Sequence, residues 1–461
     1  MSNTVGLVST NRCTSPHRLV VLTDVNQNLQ RFLRYPTPLE WSRFRVYARR
    51  MTKMYALQND RAISDDILHL LNLDPSGQTL IPGLQLLHWT TSHQSLPWLH
   101  RLLSPTLSVI KIDFTGVCAT PVTVAVIKAL PSSNLRHLSF STLHTNAEVD
   151  GALLALVLNY KQLKSIYIHQ EMHTEGTGPS GEAVKDEREP IELESLRLIS
   201  ITFRTEPSFL SNIFDRTTLP NIREIYVKHS GKTDWPGVDG LFDSIVRSAS
   251  PYNSLRFRYI SNHQGMDITS SKIQQLQSFV ALRILRVTSL CTTRCKFFLS
   301  DNDVSALAIA MPNLVELHLG GMPCSSTVDV SIDGLAAIAA NCTKLTELQI
   351  HFDTTRFINR AFDISNECTI PPRLAREPCQ LTHLIVGSML LGNGSDACWT
   401  VGMALLQIFP NLKAIAHQRI MFGADWGAVM RVLKVQRNIA SLMVGWPGLS
   451  LSVCLTYTYL V

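Results

Sequence analysis

The chain has 461 residues, 45% of them hydrophobic, and a formal net charge of +6. This composition excludes a disordered chain and suits a sizeable folded core. The charge is mild for the length and no long Lys/Arg block occurs, so nucleic acid is not expected as the main partner.

Residues 1–35 carry little pattern, without the charged start and apolar core of a secretory signal. They read as an irregular N-terminal segment. Residues 36–80 read as a helical cap. Thr37 is placed as N-cap, Pro38 takes the first turn and Glu40 closes a capping box. The helix that follows is expected to carry Trp41, Phe44, Ala48, Met51 and Tyr55 on one stripe, with Arg43, Arg50 and Lys53 elsewhere. It would cover the open end of whatever follows, with a basic docking helix as the alternative.

From residue 81 to about 440 a short phrase, L-x-x-L-x-L, recurs. It is read at Leu84/Leu87/Trp89, Leu107/Ile110/Ile112, Leu135/Leu138/Phe140, Leu163/Ile166/Ile168, Leu193/Leu196/Leu198 and Ile222/Ile225/Val227. It continues at Leu255/Arg258/Ile260, Leu282/Leu285/Val287, Leu314/Leu317/Leu319, Leu345/Leu348/Ile350, Leu381/Leu384/Val386 and Leu412/Ile415/His417. That makes about twelve units with a mean period near 30 residues. Between phrases lie helical patterns such as SIDGLAAIAANC, where Ser331 is placed as N-cap and Ile332, Leu335, Ala336 and Ile338 form an apolar face. Neither strand nor helix can bury its apolar side alone, whereas stacked copies can. The expected fold is therefore α/β, a leucine-rich-repeat solenoid or horseshoe. Its parallel β-sheet would lie on the concave face and its helices on the convex face. Residues 171–192, polar and rich in Gly and charge, are expected to form a mobile loop. The apolar tail at 441–461 is interrupted by Pro447, Gly and Ser/Thr, and reads as strand-like or poorly packed rather than membrane-spanning.

No catalytic constellation is found. Ser230-Gly231-Lys232-Thr233 resembles the end of a phosphate-binding loop, but Tyr226 stands where that motif needs a Gly. His169-Gln170-Glu171-Met172-His173 has its Glu in the wrong place for a zinc-protease helix. Ten dispersed cysteines read as structural thiols in a reducing compartment, cytoplasmic or nuclear, with no metal and no cofactor. The sequons at Asn341 and Asn393 then read as chance matches.

Alternation within each strand points the leucines into the core and their neighbours to the concave face. The exposed central column is expected to run His88, Lys111, Ser139, Tyr167, Arg197, Tyr226, Tyr259, Arg286, His318, Gln349. An adjacent column includes Asp113, His169, Lys228, Ser261, Thr288 and His351. Within the first, Tyr167, Arg197, Tyr226, Tyr259, Arg286 and His318 form the candidate partner-binding strip, because Tyr and Arg dominate interface hot spots. Such a strip suits a protein partner. An acidic peptide, a phosphorylated segment or single-stranded nucleic acid would also fit it.

The segments 32–57 (FLRYPTPLEWSRFRVYARRMTKMYAL), 81–112 and 130–141 (LPSSNLRHLSFS) resemble the leucine-rich-repeat F-box proteins of mushroom-forming fungi. The resemblance covers roughly residues 30–440. It implies a non-enzymatic substrate receptor, in which the F-box holds the adaptor of a cullin-based ubiquitin ligase and the repeats select the protein to be modified. The F-box itself is not found in residues 1–30, so residues 1–35 are expected to hold a remnant or none. A repeat scaffold without ligase docking and a nucleic-acid-binding solenoid are the alternatives.

Overall fold

A computed structural model describes residues 37–56, 79–91, 96–114, 120–131, 134–173, 189–204, 208–230, 238–251, 254–261, 268–289, 297–320, 330–353, 378–386, 395–417 and 426–443. The chain divides into two compact units, Met1–Leu255 and Arg256–Val461.

The first unit opens on helix α1, Pro38–Ala48. Its capping box forms as the sequence predicts: Glu40 N–H donates to Thr37 Oγ1 at 3.3 Å, and Thr37 N–H donates to Glu40 Oε2 at 2.7 Å. The helix buries Trp41 and Ala48. It stops before Met51, and Tyr55 belongs instead to a strand. That strand, β1 (Lys53–Ala56), begins a parallel sheet inside the stretch expected to be a helical cap. The sheet continues through β2 (Leu86–Thr91), β3 (Val109–Phe114), β4 (His137–Thr145) and β5 (Ser165–His173). It closes with β7 (Leu198–Phe203) and β9 (Glu224–His229), while two-residue strands β6 (Ile191–Glu192) and β8 (Thr217–Thr218) pair separately. Helices α2 (Thr120–Ala129), α3 (Ala147–Asn159), α4 (Ser208–Arg216) and α5 (Val238–Ser248) alternate with the later strands.

The second unit repeats the plan. Its parallel strands are β10 (Arg256–Ser261), β12 (Ile284–Ser289), β14 (Glu316–Leu319), β15 (Glu347–Gln349), β16 (His383–Val386) and β17 (Ala414–His417). A small pair, β11 (Ile268–Thr269) with β13 (Phe297–Phe298), stands apart. The helices are α6 (Ser270–Gln275), α7 (Asp301–Ala310), α8 (Ile332–Asn341), α9 (Ser395–Ile408) and α10 (Trp426–Met443). Ser331 caps α8 as expected, accepting from Asp333 N–H at 3.2 Å.

Register explains why the phrase recurs. Leu87, Ile110, Leu138, Ile166, Ile199 and Ile225 are matched rung to rung and fully buried, as are Phe257, Leu285, Leu317, Leu348 and Leu384 in the second unit. A parallel strand must be reached by a crossover, and each crossover here ends in the same turn. Leu107 N–H bonds the carbonyl of Ser104, Leu163 that of Tyr160, Leu314 that of Met311, and Leu345 that of Cys342. The next carbonyl step is shared: Arg136 O accepts from both Lys164 N–H (2.7 Å) and Ser165 N–H (3.1 Å), and Lys164 O from Arg197 N–H and Leu198 N–H. These bonds satisfy the polar groups between helix and strand, which a buried turn requires.

Two phrases were expected in the wrong register. In the fifth, the buried set is Leu196, Ile199 and Ile201, with Leu198 half-buried, because LESLRLISI holds two overlapping copies of the phrase. In the seventh, Phe257 and Tyr259 pair with Leu285 and Val287, and Arg258 pairs with Arg286. Two aromatic side chains bury far more area than Arg258 and Ile260, so the sheet turns them inward. His169–His173, expected to straddle a strand end and a loop, lie wholly within β5. Residues 1–35, the body of the expected loop at 174–188, residues 231–237 with the phosphate-loop-like motif, and the tail from 444 lie outside the described residues. Among the described residues no helix is long and apolar enough to cross a membrane.

Candidate functional site

Burial alternates along the strands, so each unit's sheet has a buried face and an opposite, more open face. In the first unit the central column of that face is Tyr55, His88, Lys111, Ser139, Tyr167, Ser200 and Tyr226, each beside the next on neighbouring strands. The strand spacing sets these about 4.8 Å apart.

Its beginning is a charged cluster. His88 Nε2 lies 2.7 Å from Asp113 Oδ2, Lys111 Nζ lies 3.4 Å from the same oxygen, and the Tyr55 ring meets His88 edge-on at 6.3 Å. Burial alone would raise the Asp113 carboxyl. Hydrogen bonds from His88 and Ser141, with the charges of Lys111 and His88, outweigh that and hold it below the ordinary aspartate range. The far end is aromatic. Tyr167 stays 42% exposed and Tyr226 is half-buried, with the small Ser200 paired between them. Two rungs, about 9.6 Å, separate the two tyrosines, leaving a notch floored by Ser200.

In the second unit the column is Arg258, Arg286, His318 and Gln349. Arg286 donates to Glu316 Oε2 from Nη2 at 2.6 Å and from Nε at 3.1 Å. His318 Nε2 approaches Glu347 Oε1 at 2.9 Å, at an angle outside hydrogen-bond geometry. Each base thus meets the carboxylate on the following strand, a diagonal ladder. Gln349 Nε2 closes it on Gly320 O at 3.3 Å, where Gly320 adopts φ 98°. His318 is buried, and that burial, reinforced by the Arg286 charge, pushes its imidazole down to about 4 against the upward pull of Glu347 and Glu316.

Four of the six strip residues therefore lie on that face, Tyr167 and Tyr226 in one unit and Arg286 and His318 in the other, and of these His318 is buried. Two do not. Arg197 precedes β7, its Nη1 donating to Glu194 O at 2.6 Å and to Asn221 O at 3.3 Å, and Ser200 takes the expected place. Tyr259 is a core residue, 1% exposed, with its phenol raised by burial despite a hydrogen bond with Ser261. Ser261 and His351 of the adjacent column are likewise buried. Strict alternation of Phe257 and Tyr259 would have placed Arg258 outward. Tyr55 was missed because MTKMYA holds too few leucines for the phrase.

Among the described residues, Cys342, Cys379 and Cys398 form no disulfide and are buried. Cys342 Sγ donates to the carbonyls of Ala308 and Met311, and Cys379 Sγ to that of Cys342, so these thiols serve the turns. Among the described residues no group of three His, Cys, Asp or Glu side chains is placed to hold a metal.

No protein-family model matches the chain. No curated protein matches it either. It is similar to a chain of the crystal structure of the Rad7 and Elc1 complex in yeast, with 15% identity over 76% of this chain and 84% of that one and a TM-score of 0.34. A likeness of that degree carries no argument about partners or activity.

Proposed function

We propose that the chain is a non-enzymatic protein-recognition solenoid that binds a protein partner on the open face of its sheet. One observation carries the reading: the exposed Tyr167 and the half-buried Tyr226 flank Ser200 on a rigid sheet. Large aromatic groups with a polar tip, held on rigid strands, lose little entropy on binding and suit the centre of an interface. Arg286 and His318 contribute less, since each already faces a carboxylate of its own chain.

The finer reading is a substrate receptor of a cullin-based ubiquitin ligase. It is supported by the resemblance of residues 32–57, 81–112 and 130–141 to leucine-rich-repeat F-box proteins. The test is quantitative capture of partners by the intact chain, by Tyr167→Ala/Tyr226→Ala, and by Ile309→Ala on the helical side. A partner lost only with the tyrosine pair supports the open face; equal recovery by all three rejects it. Retention of a purified ligase adaptor by the intact chain supports the receptor role. Binding of a protein partner without the adaptor leaves a scaffold.

A further inference from the structure

The shared-carbonyl step places one residue per repeat at the end where the chain enters the sheet. Its backbone does the same work whatever its side chain. Thr52, Gln85 and Ser108 fill it in the first unit, and Val315, Thr346 and Thr382 in the second, where a single cation, Arg283, also takes it. Yet four consecutive rungs of the first unit carry cations there: Arg136, Lys164, Arg197 and Arg223. The fold does not ask for that charge.

Arg136, Lys164 and Arg223 are exposed. Among the described residues no carboxylate lies within ion-pair distance of these three. Arg197 is fixed in the row by its bonds to the Glu194 and Asn221 carbonyls. The field is felt locally: burial, then the charges of Lys164 and Arg136, hold the His137 imidazole below its ordinary value.

We propose that this row, Arg136–Lys164–Arg197–Arg223, binds an extended acidic segment of a polypeptide. Four rungs at about 4.8 Å span about 14 Å, the length of four or five extended residues at about 3.3 Å each. The turns that carry the row, Asn134–His137, Lys161–Lys164, Glu194–Arg197 and Asn221–Glu224, hold no Phe, Tyr or Trp. Single-stranded nucleic acid sites need such stacking platforms. Glu194, exposed within the row, can accept from the backbone N–H groups of an extended peptide.

Binding of a fluorescein-labelled octa-aspartate peptide to the full chain, read by anisotropy, tests the proposal. Arg136→Ala/Lys164→Ala/Arg223→Ala should weaken it about tenfold, with each exposed pair supplying a modest share. Arg136→Lys/Arg223→Lys should stay within about twofold. The charge-matched Lys128→Ala/Lys344→Ala/Lys434→Ala, exposed cations away from that position, should bind like the parent, as should Tyr167→Ala/Tyr226→Ala, so this surface and the open face fail independently. Circular dichroism checks folding; if the alanine triple unfolds, Arg136→Gln/Arg223→Gln gives the same reading. Absence of peptide binding, equal loss in both triples, or tighter binding of an oligothymidylate would overturn it.

Discussion

Replacing Asp301 with Ala should loosen two helices at once, and Gly334 should report why. Asp301 is the first residue of α7, yet its carboxylate serves α8: Oδ1 accepts from Ser331 N–H at 2.6 Å and from Gly334 N–H at 3.1 Å, and Oδ2 from Ser331 Oγ at 2.6 Å. These are charge-assisted bonds to N–H groups that a helix start leaves otherwise unpaired. Their loss should cost about 2–3 kcal/mol, from about 1.5–3 for bonds to a charged group and about 1 for a lost cap. Gly334 permits the arrangement, because an added Cβ would stand 2.6 Å from Asp301 Oδ1 and 3.0 Å from Val330 Cγ1. Gly334→Ala alone should therefore destabilise by about 1–2 kcal/mol through overpacking. With Asp301 already Ala, the carboxylate conflict is gone and alanine's helix preference, about 0.5–1 kcal/mol, should dominate. The same substitution then changes sign, a coupling of about 2 kcal/mol. Urea unfolding of the four proteins, followed by circular dichroism, measures it. Additive effects, or an Asp301→Ala cost below about 0.5 kcal/mol, would refute the shared cap.

Tyr259→Ala should cost about 3–5 kcal/mol as a core truncation, while Arg258→Ala changes stability little; equal effects in denaturant midpoints would contradict the register of β10. His318 folds with its imidazole at about 4 against 6.5 when free. Above 6.5 neither state holds the proton; between 6.5 and 4 the unfolded state takes it up first, so stability falls with falling pH by roughly 3 kcal/mol in all. Unfolding midpoints across that range should show this slope, and His318→Gln should reduce it. Cys342 and Cys379 thiols, pushed up to about 12 and about 11 chiefly by burial, should resist iodoacetamide at pH 8 until the chain unfolds. Peptide mapping that finds either one modified in the native protein would contradict that burial.

The solenoid was legible because its demands are periodic. Leu345, Leu348 and Ile350 recur from Leu314, Leu317 and Leu319 for the same reason that all six are fully buried. Helix starts at Thr37 and Ser331 could be read locally, since a cap is a contact within one turn. Register was less legible where the core tolerates substitutes. Leu193 and Leu196 open overlapping phrases, and only neighbouring strands decide that Ile199 sits beside Ile166. The inner face of α8 also differs from its apolar spacing: Gly334 and Ala339 are buried while Ile332 and Ala336 stand half-buried. That rotation follows from Asp301, thirty-odd positions away in sequence, which no helical periodicity contains.

The open face divides by whether its charges answer one another. In the second unit Arg286 and His318 each meet a carboxylate two positions earlier on the next strand. A partner landing there must first desolvate the Arg286–Glu316 pair, which is already satisfied, and it recovers little for doing so. In the first unit Tyr167 and Tyr226 have only Ser200 between them on the sheet. Burying a tyrosine ring gains area at once. The same reasoning applies to Arg136, Lys164 and Arg223, whose positions are fixed by backbone bonds while no carboxylate among the described residues pairs with their side chains. A solenoid repeats its backbone bonds and its leucines because each copy must stack on the last. Where it departs from repetition without a stacking reason, as at these tyrosines and these cations, the proposed recognition would account for the departure.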